Sequence, residues 1–261
     1  MTVYLAGANG KGKFCNEYVL SSKWNMGLCD RGDNKKKVNL NILESFFYVD
    51  EVITKNIPHF KNFMLDSGAF TFFTSGTKNV DWNEYVERYA AYINENKIDL
   101  FFELDIDKVI GFDNVLKLRK KLESLTDKQC IPVWHKSRGK ENFIEMSREY
   151  PYVAIGGIVS NEIKKDEYKY FPYFINTAHK YGAKIHGLGF TNLEGLTRYH
   201  FDSVDSTAWT GGNRFGFVYH FNGKTMQKKD VPAGHRLKAV EVARQNFNEW
   251  VKFCEYAERN L

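Results

Sequence analysis

Short apolar runs rich in β-branched and aromatic residues alternate along the chain with longer polar segments. Such alternation is typical of parallel strands joined by crossover helices. The runs that predict strands are 3–6, 63–65, 100–104, 131–134, 152–155, 184–188 and 201–204, with an eighth at 217–221. The pattern predicts an α/β fold in which the strands close into an irregular (β/α)8 TIM barrel.

The predicted helices lie between these runs, where apolar residues recur on one face of each segment. They include 81–95, 113–125 and 232–260. Asp81 and Asp113 are the predicted N-caps of the first two, and Pro232 suits the first turn of the third. We expect that C-terminal helix to close the barrel.

The composition is that of an ordinary globular protein. A length of 261 residues matches a single (β/α) barrel, so one domain is predicted over 1–261. Hydrophobic residues make up 43% and charged residues 26%, which argues against a disordered or fibrous protein. The formal net charge of +5 favours a polyanionic partner only weakly. We see no signal peptide and no membrane-spanning run, so we expect a cytoplasmic protein without a membrane partner.

The spacing of cysteines and histidines predicts no metal site. Cys15, Cys29, Cys130 and Cys254 lie far apart and form no C-x-x-C pair, and no H-x-x-x-H pattern occurs. We interpret the cysteines as ordinary thiols, and we expect neither a metal nor another cofactor.

Acidic residues and glycines follow several of the predicted strands directly. Asp66, Asp105 and Asp205 each come after a different strand, and Gly156 and Gly157 come after another. Because the carboxyl ends of barrel strands share one rim, we expect these residues to surround one site. Each has a structural alternative, since aspartates cap helices and glycines permit tight turns. Together, convergent carboxylates favour glycosyl chemistry.

Four other residues near the strand ends have two interpretations each. His135 and His186 are either hydrogen-bonded structural histidines or ligand contacts, and the structural interpretation is favoured. Phe70 and Trp209 either stack on a flat ligand or belong to the core.

Four segments, taken in order, resemble the tRNA-guanine transglycosylases. They are 65–70 (LDSGAF), 156–158 (GGI), 186–189 (HGLG) and 204–209 (VDSTAW). The sequence is most similar to the small phage and bacterial branch that inserts 7-deazaguanine bases into DNA. This resemblance implies a pentosyltransferase that replaces guanine in nucleic acid with a 7-deazaguanine through a covalent aspartyl–glycosyl intermediate, without a cofactor.

The resemblance also implies roles for the matching residues. Asp205 would be the nucleophile, with Asp202 in a similar Asp-Ser pair as the alternative, and Asp66 would be the general acid and base on the purine. Asp105 would recognise the guanine edge, with backbone donors from the glycine pair for its carbonyl. The residues expected around the base are Ser67, Phe70, His135, Gly156, Gly157, Leu188, Gly189 and Trp209.

The expected partners are nucleic acid and a guanine or 7-deazaguanine base, with DNA favoured over tRNA. The tRNA enzymes carry a cysteine-rich zinc subdomain after the nucleophile, whereas residues 209–261 here contain only Cys254. The basic residues predicted to contact phosphates, or alternatively to form a solvated face, are Arg214, Lys224, Lys228, Lys229, Arg236 and Lys238. Three alternatives stay open: a tRNA acceptor, a non-catalytic nucleic-acid-binding barrel, and a carbohydrate hydrolase. Whether an accessory protein such as a helicase takes part is also open.

Overall fold

A computed structural model describes residues 1–8, 12–25, 37–74, 80–212, 217–230 and 238–261. Within them, eight parallel strands form one sheet in the order β4-β3-β2-β1-β8-β7-β6-β5. The strands are β1 (Thr2–Ala6), β2 (Val38–Ser45), β3 (Phe60–Asp66), β4 (Leu100–Phe101), β5 (Val133–Trp134), β6 (Tyr152–Ile155), β7 (Lys184–Gly187) and β8 (Ser203–Ser206). A parallel bridge between Phe102 and Ile131 joins the two outer strands of this order. The sheet is therefore an irregular (β/α)8 barrel, as predicted.

Helices surround this sheet. They are α1 (Gly12–Asn25), α2 (Glu51–Asn56), α3 (Ala69–Thr74), α4 (Trp82–Glu95), α5 (Asp107–Ile110), α6 (Phe112–Thr126), α7 (Gly139–Glu149), α8 (Phe171–Lys180), α9 (Leu193–Arg198) and α10 (Ala239–Asn260). No helix among the described residues is long and apolar enough to cross a bilayer.

Side chains alternate along each strand between the helix layer and the inside of the barrel, because the strand repeat is two residues. On β3, Leu65 belongs to the large core beneath the helices, whereas Met64 belongs to a smaller core inside the barrel. The inner core contains Tyr4, Ala6, Leu43, Met64, Phe102, Ile131, Val133 and Ala154. Asp66 follows Leu65 and so lies on the inner side, where this core ends at the carboxyl rim.

Of the two predicted N-cap residues, Asp81 is confirmed and Asp113 is not. The Asp81 side chain caps α4 by accepting from the Asn83 and Glu84 amides at 2.9 and 3.1 Å. Helix α6 begins at Phe112 with Gly111 as its N-cap, so the prediction that Asp113 is the N-cap is wrong. Asp113 lies in the first turn instead, where its charge still suits the helix dipole.

The predicted eighth barrel strand is wrong. Phe217–Phe221 forms β9, which pairs antiparallel with β10 (Met226–Asp230) in a separate hairpin. The missing barrel strand is β2, which pairs in parallel with β1 and β3. Helix α10 packs against both β1 and the hairpin, so it does cover the barrel, but it begins at Ala239. The predicted first-turn Pro232 lies outside the described residues.

Candidate active site

A cavity of about 640 Å³ opens at the carboxyl ends of the strands, a size typical of a small-molecule site. The sequence-predicted residues that line it are Asp66, Phe70, Asp105, His135, Gly156, Gly157, Leu188, Gly189 and Asp205. Barrel closure thus brings together residues that are far apart in the chain.

Asp66 is a carboxyl group that holds a proton near neutral pH. Burial raises its pKa to about 7, and the negative charges of Asp105 and Asp205 add to the rise. The Gly68 amide donates to Asp66 Oδ2 at 3.0 Å, which opposes the shift without cancelling it. Asp66 can therefore both give and take a proton under physiological conditions.

Asp205 is buried at the end of β8 and has two hydrogen-bond partners on one oxygen. The Gly189 amide donates to Asp205 Oδ1 at 2.6 Å, and His186 Nε2 lies 3.3 Å from the same atom. Gly189 has a positive φ of +68°, and a Cβ added there would collide with Val159 Cγ2. Glycine therefore allows the loop after β7 to bring its amide against the carboxylate.

Asp202, the alternative nucleophile, lies at the other end of β8 and does not line the cavity. Its Oδ2 accepts from the Ile185 amide and contacts His179 Nε2, both at 2.8 Å. It lies three positions before Asp205, which corresponds to about 10 Å along a strand. The geometry therefore removes Asp202 from the candidate site and assigns it a structural role.

Asp105 is part of a charged network on the opposite side of the cavity. His135 Nε2 lies 2.5 Å from Asp105 Oδ1, and His135 Nδ1 lies 3.3 Å from Glu162 Oε2. Burial by itself lowers the pKa of His135, but the bond to Asp105 and the nearby carboxylates raise it above its usual value. Lys108 Nζ pairs with Glu162 at 2.7 Å. The network holds the Asp105 carboxylate in one orientation at the cavity wall.

Three groups of metal-ligand type also meet in this network. Ligand atoms of Asp105, Asp107 and His135 lie within 4.8 Å of one another, a cluster that the sequence spacing did not indicate. Two of them are already engaged with each other, Asp105 with His135, and the third has a cationic partner, since Arg138 Nε donates to Asp107 Oδ2 at 3.0 Å. We therefore interpret these three side chains as part of an internal network of charged groups and not as a cation site.

The glycine pair differs from its predicted role as a pair of ligand donors. The Gly156 amide donates to Trp134 O at 2.9 Å within the sheet, so the prediction of a ligand bond fails for this residue. Position 156 has no room for a side chain, because a Cβ there would lie 2.9 Å from His135 Cε1. The Gly157 amide has no acceptor among the described residues, so it is the member of the pair that can donate to a ligand.

Two predicted base-contact residues do not line the cavity. Ser67 is buried, and its Oγ accepts from the Ala69 amide at 3.4 Å, so it caps the start of α3. Trp209 is fully buried, and its Nε1 donates to Ala6 O at 2.8 Å. Its ring packs edge-on against Phe247 of α10, so it is a core residue.

Sequence analysis missed two acidic residues at the site. Glu44, at the end of β2, lines the cavity and is buried, and that burial raises its pKa to about 7. It was missed because β2 was not predicted. Glu162, five residues after Gly157, supports His135 and carried no signal beyond its place in a loop that follows a strand.

The predicted phosphate contacts are only partly described. Lys224, Lys228 and Lys229 lie exposed on the β9–β10 hairpin and its turn, and Lys228 borders a groove that includes residues 191–194 after β7. Because residues 191–194 follow the carboxyl end of β7, the hairpin lies beside the same rim of the barrel as the cavity. Lys238 is the N-cap residue of α10 and lies 4.0 Å from Glu241. Arg214 and Arg236 lie outside the described residues.

Among solved structures, the chain is similar to the carboxyl transferase domain of pyruvate carboxylase from Rhizobium etli. The structure with oxalate has a TM-score of 0.45 at 15% identity, covering 98% of this chain and 48% of that one. The structure with pyruvate has a TM-score of 0.43 at 15% identity, covering 84% and 41%. This chain spans less than half the length of those structures, and a likeness at this level carries no argument about function. No family model matches the sequence, and no curated protein sequence does.

Proposed function

We propose that this protein is a pentosyltransferase that exchanges guanine in DNA for a 7-deazaguanine base at the glycosidic bond. The observation that carries the proposal is that two unlike carboxyl groups, Asp66 and Asp205, line one cavity that is large enough to admit a purine nucleoside. Exchange at one sugar with retained configuration needs two displacements, and hence one carboxylate nucleophile and a second group that manages the proton.

In the first displacement, Asp205 attacks C1′ of the nucleotide while the bond from C1′ to the purine nitrogen breaks. The departing guanine takes the electron pair of that bond and the proton of Asp66. In the second displacement, the incoming base gives a proton to Asp66 and attacks C1′, and the ester bond to Asp205 breaks. Asp66 suits both steps because its pKa of about 7 makes either protonation state accessible.

The opposite wall of the cavity has the groups to recognise a guanine-type edge. Asp105 is an acceptor for the N–H groups of that edge, and His135 holds it in place. The Gly157 amide is available for the base carbonyl, where it would also stabilise negative charge on the leaving purine. Phe70 is about half exposed at the cavity, where an aromatic ring can stack on a base.

DNA is the favoured acceptor because residues 209–261 contain a single cysteine, too few for the cysteine-rich zinc site of the tRNA enzymes. The target base must leave its stack, which costs about a few kcal/mol. Phosphate contacts from the exposed lysines of the hairpin would offset that cost.

The direct test is incorporation of labelled guanine, or of labelled 7-cyano-7-deazaguanine, by the purified protein into single-stranded DNA, duplex DNA and tRNA. We expect label in DNA. Label in tRNA alone would reassign the acceptor, and no label in any acceptor would refute the proposal.

A pair of matched variants then tests the nucleophile. Asp205→Asn should lower exchange at least about a thousandfold, because loss of a covalent nucleophile removes both displacements. Asp202→Asn removes a carboxylate from the same strand but away from the cavity, so exchange should persist. Thermal melting of both variants separates loss of chemistry from loss of fold. Equal activity of Asp205→Asn and the wild type would remove Asp205 from this role.

A further inference from the structure

A chain of buried and partly buried polar groups lies inside the barrel beneath Asp205. Tyr152 of β6, His186 of β7 and Ser203 of β8 belong to neighbouring strands, and Ser203 pairs in register with His186. Tyr152 OH lies 2.6 Å from Ser203 Oγ, which lies 2.5 Å from His186 Nδ1. His186 is fully buried, and Phe102 and Tyr4 pack against its ring. His186 therefore has a hydrogen-bond partner on each ring nitrogen, and these partners fix the orientation of its ring.

The direction of these hydrogen bonds follows from chemistry. An ionised carboxylate only accepts, so His186 Nε2 carries the proton that faces Asp205 Oδ1 at 3.3 Å. In the neutral ring, Nδ1 is then an acceptor, and Ser203 must donate to it. Ser203 Oγ in turn accepts from Tyr152 OH, which burial keeps protonated by raising its pKa to about 12. The chain therefore donates in one direction, from Tyr152 to Asp205.

Among the described residues, two groups donate to Asp205, and both meet the same oxygen. Oδ1 accepts from the Gly189 amide and from His186, so its lone pairs are occupied. Oδ2 is the atom left for bond formation.

We propose that His186 is a positioning residue that directs Asp205 Oδ2 to C1′ and assists the second displacement. This rests on the function proposed above. When Oδ2 forms the ester, the carboxylate loses its charge, and when the incoming base breaks the ester, that charge returns and is shared with Oδ1. Donors on Oδ1 stabilise the carboxylate as a leaving group, so they favour discharge of the intermediate more than its formation.

Two substitutions at one site separate this role from simple packing. His186→Leu removes the donor, whereas His186→Gln retains an N–H that can reach the position of Nε2. In single-turnover experiments, His186→Leu should slow discharge of the DNA–protein adduct by an incoming base about tenfold or more, the value of one hydrogen bond to a charged group. Formation of the adduct should change less, so the denaturant-stable adduct should accumulate. His186→Gln should restore part of the discharge rate.

Ser203→Ala provides a second variant in case His186→Leu does not fold. It leaves the imidazole in place but removes the group that fixes its tautomer, so discharge should slow by a smaller factor with the same accumulation of adduct. Equal discharge rates in the wild type, His186→Leu and Ser203→Ala would overturn the proposal. Equal slowing of formation and discharge would also overturn it, because that is the result of a merely structural role.

The arrangement can also be measured without any activity. Nitrogen NMR of histidine-labelled protein should show His186 as the neutral ring protonated at Nε2, with a shift in that signal in Asp205→Asn. Protonation at Nδ1 alone would overturn the proposed positioning even if base exchange occurs. Absence of both exchange and adduct in the wild type would refute the proposed function instead, and the NMR result would still decide how Asp205 is held.

Discussion

Asp66 and Asp205 have the same functional group, but their surroundings give them different properties. Asp66 is partly buried near other carboxylates, which favours its neutral form. Asp205 accepts two N–H groups on one oxygen, which stabilise negative charge on it. Pairs of carboxyl groups with unlike environments are how enzymes assign acid and nucleophile roles at one pH. The difference arises from neighbours, so the identity of the two residues alone could not reveal it.

The raised pKa of Asp66 predicts that this residue destabilises the fold at neutral and higher pH. Its pKa is 3.8 ordinarily and about 7 when folded, so between these values the folded state binds more protons than the unfolded state. The free energy of unfolding therefore falls as the pH rises through this range, by about 2–4 kcal/mol in total.

Asp66→Asn removes this titration and keeps an oxygen to accept from Gly68. Its stability relative to the wild type should increase by about 2–4 kcal/mol between about pH 4 and pH 8, measured by urea unfolding at both values. Glu44 titrates in the same range, and because the Asp66 charge contributes to its raised pKa, removing that charge adds to the expected difference. A stability difference that is constant with pH would contradict the prediction.

At the scale of elements, alternation and helical spacing predicted most of the barrel, whereas β2 was missed. The strands were predicted from continuous apolar runs, and Asn39 and Asn41 break such a run here, although Val38, Leu40 and Ile42 alternate with them in the period of a strand. Asn41 is buried in this strand, and both ends of its amide are hydrogen-bonded. It donates to Glu258 of α10 and accepts from Asn62 of β3, both at 2.8 Å. These partners are distant in sequence, so no local pattern contains them.

The hairpin shows the opposite error, a strand of the right type assigned to the wrong sheet. Phe217–Phe221 alternates as a strand should, but the Tyr219 and Phe221 amides donate to Asn246 and Glu249 of α10 at 2.7 Å. Two side chains of α10 thus accept from the backbone amides at this edge of β9, and no local sequence pattern contains that pairing. The position of Asp66, Asp105 and Asp205 at the cavity could be predicted despite these errors, because an aspartate after a strand reaches the rim whichever strands are its neighbours.

The loop after β7 offers a test with a matched control. Gly189 and Gly182 both have positive φ, +68° and +79°, but an added Cβ meets Val159 at the first and nothing within 4 Å at the second. Alanine at either position costs about 1 kcal/mol of stability for the backbone conformation. At Gly189 the added Cβ also meets the Val159 side chain, and we expect the loop to shift together with the amide that holds Asp205, so exchange should fall about tenfold or more.

Gly182→Ala should lose stability to a similar degree and retain exchange. Thermal melts and initial exchange rates of the two variants, measured side by side, provide the comparison. If both variants kept full activity, the Gly189 amide would not be needed to hold the nucleophile.

At the scale of the whole molecule, barrel closure gives the protein two distinct ends. The cavity lies at the carboxyl ends of the strands, and the β9–β10 hairpin borders the same rim through its groove with residues 191–194. Lys228 Nζ lies 4.6 Å from the centre of the Phe217 ring, which holds this charge on the hairpin surface. Lys180 and Lys184 lie at the other end, beside the start of β7. A nucleic acid whose base enters the cavity should therefore meet the first set of lysines and not the second.

This asymmetry predicts how binding depends on salt. If Lys228 and Lys229 each contact one phosphate, the double substitution Lys228→Gln, Lys229→Gln should weaken binding and flatten the plot of log affinity against log salt by about 1.4 to 1.8, as two fewer counterions are released. The double substitution Lys180→Gln, Lys184→Gln removes the same charge from the opposite end and should change the slope little. Fluorescence anisotropy with a labelled single-stranded oligonucleotide, between about 50 and 200 mM salt, measures both slopes. Equal slopes for the two double variants would mean that the hairpin does not contact the DNA backbone, and the lysines would then be a solvated face.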